Sequence, residues 1–253
     1  MTTGGDKLPV LDYELLRTGG EAGRAAFAAD LRLACTSSGF FYLDISGSLA
    51  SESADAALAA ARSFFSLPLA EKNRIDIANS PHFRGYAQVG RETTAHKLDL
   101  REQIDFGLEA QALPPSSAAV QESPYLRVLV GPNQWPDVRA VPGFRPQLSS
   151  WFDTCGEVGD RLVEAFAGAL GLPPQYFASN GYFTPLSEGE GEGGGDGGGA
   201  GRHCRMKISR YPPVSETGSE GLAAWDAGSL GVGPHKVSPR PGEQLPPRVV
   251  VGQ

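Results

Sequence analysis

Apolar positions along the chain recur with two periods. From Glu21 to Ser37, Phe27, Leu31, Ala34 and Cys35 fall at helical spacing, which predicts a helix stopped by Gly39. Ser51 to Phe65 is alanine-rich, with Leu58, Ala61 and Phe65 on one face of a second predicted helix. Leu67-Pro68 ends it, because proline disfavours a helical residue before it. Leu69 to Lys72 then opens a short helix with the proline at its first turn. The longest pattern runs from Arg145 to Leu170, through Leu148, Trp151, Phe152, Cys155, Val158, Leu162, Val163, Phe166 and Leu170. Such a helix spans roughly 40 Å at the α-helical rise, long enough to back a sheet. Gly171 stops it, and Pro173 and Pro174 prevent its resumption.

Shorter stretches read as extended. Leu8 to Asp12 and Phe40 to Leu43 predict short strands, and Arg101 to Gly107 a strand or extended segment. Arg205 to Tyr211 alternates, with Met206, Ile208 and Arg210 on one side and Arg205, Lys207, Ser209 and Tyr211 on the other. The second wall suits an anionic small molecule, and it equally suits an ordinary solvated strand face. Gly85-Tyr86 and Gly90 mark turns or close backbone approach. Ala112 to Pro124 reads as a proline-containing loop, and Gly131 to Pro136 as a rigid turn.

Composition narrows the function classes. The 253 residues are 40% apolar, so a packed core is available, and the net charge of −7 argues against a nucleic-acid partner, which needs a basic face. No apolar run reaches the length of a membrane span, and Met1 to Lys7 lacks the apolar core of a secretion signal. Cys35, Cys155 and Cys204 are widely spaced and odd in number, which fits a reducing compartment; a cytoplasmic location is the expectation. Cys35 and Cys155 read as small buried hydrophobes on their helices. Residues 187–201 form an acidic, glycine-rich insert that buries too little surface to offset backbone ordering, and its glycines give no fixed geometry for calcium.

Several short pieces occur in an order that carries more weight than any one of them. They are Pro9 to Asp12, Cys35 with Gly39 to Tyr42, Phe64 to Pro68 followed by Lys72, Gly85-Tyr86, and Arg101-Glu102. Then come Gly131 to Pro136 with Pro142 to Arg145, Ala169 to Pro173, Tyr176-Phe177, Arg210 to Pro213, and Gly233-Pro234-His235. From Leu8 to Lys236, apart from the insert, the chain resembles the isopenicillin N synthase-like group of Fe(II)- and 2-oxoglutarate-dependent dioxygenases. The resemblance implies an α+β fold, a helical N-terminal dioxygenase domain leading into an incomplete double-stranded β-helix, or jelly roll. It divides the chain into 1–125 (N-terminal domain), 126–186 (linker and long backing helix), 187–201 (insert), 202–236 (start of the barrel) and 237–253 (a tail outside the family pattern).

Members of this group hold one Fe(II) by two histidines and a carboxylate, leaving open positions for 2-oxoglutarate and oxygen. They oxidise a small organic substrate. By resemblance His235 is the first iron ligand. Tyr211 matches the tyrosine of the group's N-x-Y strand, which approaches 2-oxoglutarate, and Ser209 stands where that motif has asparagine. The departures follow at once. Val237 occupies the aspartate position of H-x-D, and neither the distal histidine nor the arginine of R-x-S has a counterpart. A solitary imidazole does not retain Fe(II) usefully. His82 and His96 read as surface or supporting histidines, and His203 with Cys204 and His235 would be nearer a zinc set.

The expectation is therefore a dioxygenase interrupted within its metal motif and inactive, with no catalytic residue assigned. Residues 237–253 would be a retained intron or mis-joined gene segment, or the end of a shortened paralogue. The alternative is a catalytically dead binding or regulatory fragment that pairs with a full-length homologue through an exposed sheet edge. The substrate itself is not legible.

Overall fold

The computed structural model describes residues 8–48, 50–94, 97–182 and 204–212. His96, His203, His235, Val237, the insert at 187–201 and the tail at 237–253 lie outside the described residues. In chain order the elements are β1 (Val10–Asp12), α1 (Tyr13–Arg17), α2 (Gly20–Ser37), β2 (Tyr42–Asp44), α3 (Ala50–Phe65) and α4 (Leu69–Lys72). They continue with β3 (Gly85–Ala87), β4 (Thr93–Thr94), β5 (Lys97–Leu98), β6 (Glu102–Gly107), α5 (Ala118–Glu122) and α6 (Leu126–Leu129). The last are α7 (Phe144–Ala169), α8 (Tyr176–Ser179) and β7 (Arg205–Arg210). Helices and sheets are both present, as expected for an α+β chain. No helix among the described residues is long and apolar enough to cross a membrane.

The chain folds into two compact units, each built from two stretches. The first comprises Met1–Phe64 and Asp137–Cys204, the second Phe65–Pro136 and Arg205–Gln253.

In the first unit α7 packs against α2 and α1. Leu11, Tyr13, Leu16, Phe27, Leu31 and Ala165 form its buried cluster, with Val158 and Leu162 laid against it. Asp12 caps α1 by accepting the Glu14 amide at 2.9 Å. Gly23 lets α1 and α2 approach, since a Cβ there would meet the Leu15 carbonyl. Gly39 ends α2 in the left-handed region at φ 72°. Arg32 of α2 donates to the Ala169 carbonyl at 2.8 Å, satisfying an acceptor at the open end of α7.

Four expectations about burial need correction. On α3, Ala61 and Phe65 are buried as expected, together with Ala57, Ala60 and Phe64, but Leu58 is 52% exposed. Cys35 is exposed because its neighbour Ala34 takes the core position. Cys155 is also exposed. It lies between the two packed ends of α7, where Phe144 meets Phe64 at 5.2 Å between ring centroids and Leu162 meets the α1–α2 cluster. Phe166 and Leu170 at the far end are exposed as well. Within its own unit α7 packs against α2 and α1, and Ala165 shares its buried cluster with Leu11 of β1.

The second unit is organised by an antiparallel sheet in the order β3-β6-β7. β6 is its centre and is buried at all six positions. Gly85 opens β3 at φ 119°, where a side chain would run into the Ile75 carbonyl. Gln134 ties the segment beneath by donating to the carbonyls of Asp76 at 2.9 Å and Arg84 at 2.7 Å. The stretch expected as a loop from Ala112 to Pro124 contains α5, whose first turn is capped by Ser117 accepting the Val120 amide. β7 bonds β6 on one side and has no second strand neighbour among the described residues.

Candidate functional site

The register of β6 against β7 sorts their side chains into two walls. Glu102 lies opposite Arg210, Ile104 opposite Ile208 and Phe106 opposite Met206 on one face. Gln103 lies opposite Ser209, Asp105 opposite Lys207 and Gly107 opposite Arg205 on the other. The alternation read from residues 205–211 is thus the alternation observed: Met206, Ile208 and Arg210 are half-buried, while Arg205, Lys207 and Ser209 are exposed.

On the first face a single carboxylate gathers three donors. Glu102 is 1% exposed. Its Oε2 accepts from Lys72 Nζ at 2.6 Å and from the Tyr86 hydroxyl at 2.7 Å, and its Oε1 accepts from Arg210 Nη1 at 2.7 Å. Lys72 also donates to the Phe65 carbonyl at 3.1 Å and sits over the Tyr86 ring, 5.4 Å from its centroid. Burial alone would push the Glu102 carboxyl up. The hydrogen bonds from Lys72, Tyr86 and Arg210 outweigh it and hold the group below the usual carboxylate range. Burial, and then the bond to Glu102, push the Tyr86 phenol up.

The second face is polar and partly open. Arg101 pairs with Glu92 at 2.7 Å and Asp99 at 3.2 Å, and its Nη1 donates to the Tyr211 hydroxyl at 3.2 Å. Gln103 Nε2 donates to Glu92 at 2.9 Å and to Asp105 at 3.0 Å. Its Oε1 is buried with no hydrogen-bond partner among the described residues. Arg205 and Lys207 approach Asp105 at 3.5 and 3.8 Å. Burial pushes the Asp105 carboxyl up, and these two distant cations do not bring it back. Glu92 is also raised by burial, but Arg101, Lys207 and Gln103 pull it below its ordinary value.

Both described candidate residues therefore stand on one wall. Ser209 faces out beside Gln103, and Tyr211 follows the strand, held by Arg101. His82 is not at the surface. It is buried, with Nδ1 2.9 Å from the Arg127 carbonyl and its ring against Gly131, where no Cβ would fit. It is committed to the fold and is not a spare metal ligand. Among the described residues no group of three or more His, Cys, Asp or Glu is placed to hold a metal ion.

Reading the sequence did not single out Glu92, Gln103 and Asp105, nor the convergence on Glu102. The available signal was indirect: Lys72, Tyr86, Glu102 and Arg210 each belong to one of the ordered pieces.

The family profile of the non-haem dioxygenase in morphine synthesis N-terminal region matches residues 8–138, just over half the chain. A 2-oxoglutarate-dependent dioxygenase, frbJ, of Dothideomycetidae sp. is 33% identical over 233 residues, covering 92% of this chain and 54% of its own length. The chain belongs to the 2-oxoglutarate- and Fe(II)-dependent dioxygenase family. A 2-oxoglutarate-dependent dioxygenase of Gibberella zeae matches at 31% identity over 229 residues, 90% of this chain and 52% of the relative. A homoarginine-6-hydroxylase of Arabidopsis thaliana matches at 26% over 187 residues, 70% of this chain and 52% of the relative. The chain spans about half the length of the curated relatives it matches.

Among solved structures, a full-length Neurospora crassa protein in complex with alpha-KG superposes with a TM-score of 0.53 at 21% identity, over 71% of this chain and 52% of the Neurospora chain. A 2OG-Fe(II) oxygenase family protein from Caulobacter crescentus gives a TM-score of 0.53 at 24% identity, over 69% and 52%. At such identities the likeness concerns the fold.

Proposed function

We propose that the polar wall of β6 and β7 is the 2-oxoglutarate side of a dioxygenase site, and that the chain, as its residues stand, binds the keto acid without turning it over. In this reading β3-β6-β7 opens an incomplete jelly roll whose inward wall is Lys207, Ser209 and Tyr211. The observation that supports it is the donor set: two hydroxyls and the cations Arg205 and Lys207 on one exposed side of a strand. That set suits a small dicarboxylate. Ser209 and Tyr211 would donate to its carboxylates, and Lys207 would offset its charge.

Iron is a different matter. His235 would be the first ligand, but Val237 has no donor atom where H-x-D needs a carboxylate, and His82 is bound to the Arg127 carbonyl. These residues do not complete a ligand set for Fe(II), so no step is assigned through it. In enzymes of the family, oxidative decarboxylation of 2-oxoglutarate and oxidation of a small organic substrate together supply the electrons that reduce oxygen.

Calorimetric titration of 2-oxoglutarate into the full chain tests the first half. Binding is expected, weakened about tenfold in Ser209→Ala and Tyr211→Phe, the size of a lost charge-assisted hydrogen bond. Absence of binding removes the reading. Succinate assays with added ferrous iron test the second half, and sustained succinate release would overturn it.

One observation favours a second reading. β7 has an unpaired edge among the described residues, and such an edge is a template for another chain. A regulatory fragment would pair there with a full-length homologue. Co-expression followed by affinity capture with that homologue checks it, with the chain running alone as the contrary result.

A further inference from the structure

Phe83 is the one non-glycine residue with positive φ among the described residues, at 53°. An aromatic residue there is unusual, and such a conformation persists only where its surroundings over-determine it. They do so here. On one side His82 is buried, its amide donating to Ser80 Oγ at 3.1 Å and its ring held at the Arg127 carbonyl. On the other, Arg84 is buried and donates to the carbonyls of His82 at 2.6 Å and Leu129 at 2.7 Å. The Phe83 carbonyl itself accepts from Arg205 of β7 at 3.1 Å. Two inward anchors leave the residue between them only the outward direction, and Phe83 is 56% exposed.

Phe83 borders an open cleft of about 400 Å³, lined also by Ile77, Ala78, Ser80, Ala87, Arg91 and Glu92. That volume is of small-molecule size. The cleft runs onto the polar wall: Ala87 lies opposite Gln103 in the β3–β6 register, and Glu92 accepts from Gln103 and Arg101. Its two charged residues are already engaged. Arg91 is paired with Asp76 at 2.5 Å, and Glu92 with Arg101 at 2.7 Å. The remaining lining is Phe83, the apolar groups of Ile77, Ala78 and Ala87, and Ser80, whose hydroxyl already accepts from the His82 amide.

We infer that this cleft binds the uncharged, planar ring portion of a small molecule, with Phe83 as the residue that stacks on it. A cationic chain would find no unpaired carboxylate lining the cleft, because Glu92 is held by Arg101 and Gln103. Calling the bound ring the oxygenase's substrate rests on the reading of the polar wall given above; the binding does not.

The test uses the full chain with methyl-labelled isoleucine and alanine, observed by NMR while indole is added as a neutral planar probe and homoarginine as a cationic one. Indole is expected to shift the Ile77, Ala78 and Ala87 methyl signals. Its affinity should fall about tenfold in Phe83→Asn, which tolerates the left-handed backbone but lacks the ring, and should change less than about twofold in Phe83→Tyr. Unmoved methyl signals with indole, equal affinity in Phe83→Asn, or homoarginine shifting the same signals would each overturn the inference. The wild-type titration decides even if a variant fails to fold. Titration of 2-oxoglutarate, followed at Lys207 and Ser209, separates the two ideas: loss of that response with indole binding intact sinks the oxygenase wall and leaves the cleft standing.

Discussion

At Glu102 one carboxylate satisfies a lysine, a phenol and an arginine from three other parts of the chain. Removing its charge leaves Lys72 buried without a counter-ion, which is far costlier than losing the pair as a whole. Glu102→Gln should lower stability by about 3–5 kcal/mol and Tyr86→Phe by only about 1 kcal/mol, measured by urea denaturation. The pH dependence has opposite signs at neighbouring positions. Glu102 is held below its ordinary range, so its contribution is full above the unfolded carboxylate pKa and disappears as pH falls through the folded value. Asp105 is held above, so it costs stability once pH rises past its unfolded value, and the cost is complete above the folded one. Asp105→Asn should therefore raise the melting temperature at about pH 7, and the gain should vanish at about pH 3, where both states carry the proton. The sequence made Lys72, Tyr86, Glu102 and Arg210 visible as separate motif members. Their meeting at one carboxylate depends on tertiary approach, to which spacing along the chain is blind.

At the scale of elements, the long helices were legible, while of the short ones only α4 was, read from Leu69 to Lys72 behind Pro68. Helical periodicity located α2, α3 and α7 to within a residue at each end, because each has several turns over which an apolar face repeats. α1, α5, α6 and α8 have four or five residues each, too few for a period to show. α5 also follows Pro114-Pro115, which reads as a breaker until Ser117 is seen to cap it. Which residues of a stripe are buried was less legible than the stripe itself. Cys155 has the right spacing, yet it is exposed, whereas Phe144 and Leu148 towards one end of α7 and Ala165 and Ala167 towards the other are buried. Leu31, fully buried where α2 meets the α1–α7 cluster, is the sharper probe. Leu31→Ala should destabilise by about 2–5 kcal/mol in thermal or urea unfolding.

At the scale of the molecule, the chain leaves the first unit at Phe64, builds most of the second, returns at Asp137 and re-enters the second at Arg205. The second unit thus depends on a strand distant in sequence, and β7 supplies it with both a ladder and a charge. Without Arg210, Glu102 Oε1 loses its donor, and without β7 the whole outer side of β6 is unpaired. A variant ending at Cys204 should lose hydrogen-exchange protection at the β6 amides that face β7. Protection in α2 and α7, whose contacts with each other and with α1 all lie within residues 1–204, should be retained. Equal loss in both would mean that β7 stabilises the molecule as one cooperative body. Loss confined to β6 would mean that the polar wall can be opened or closed by one strand while the helical unit keeps its fold.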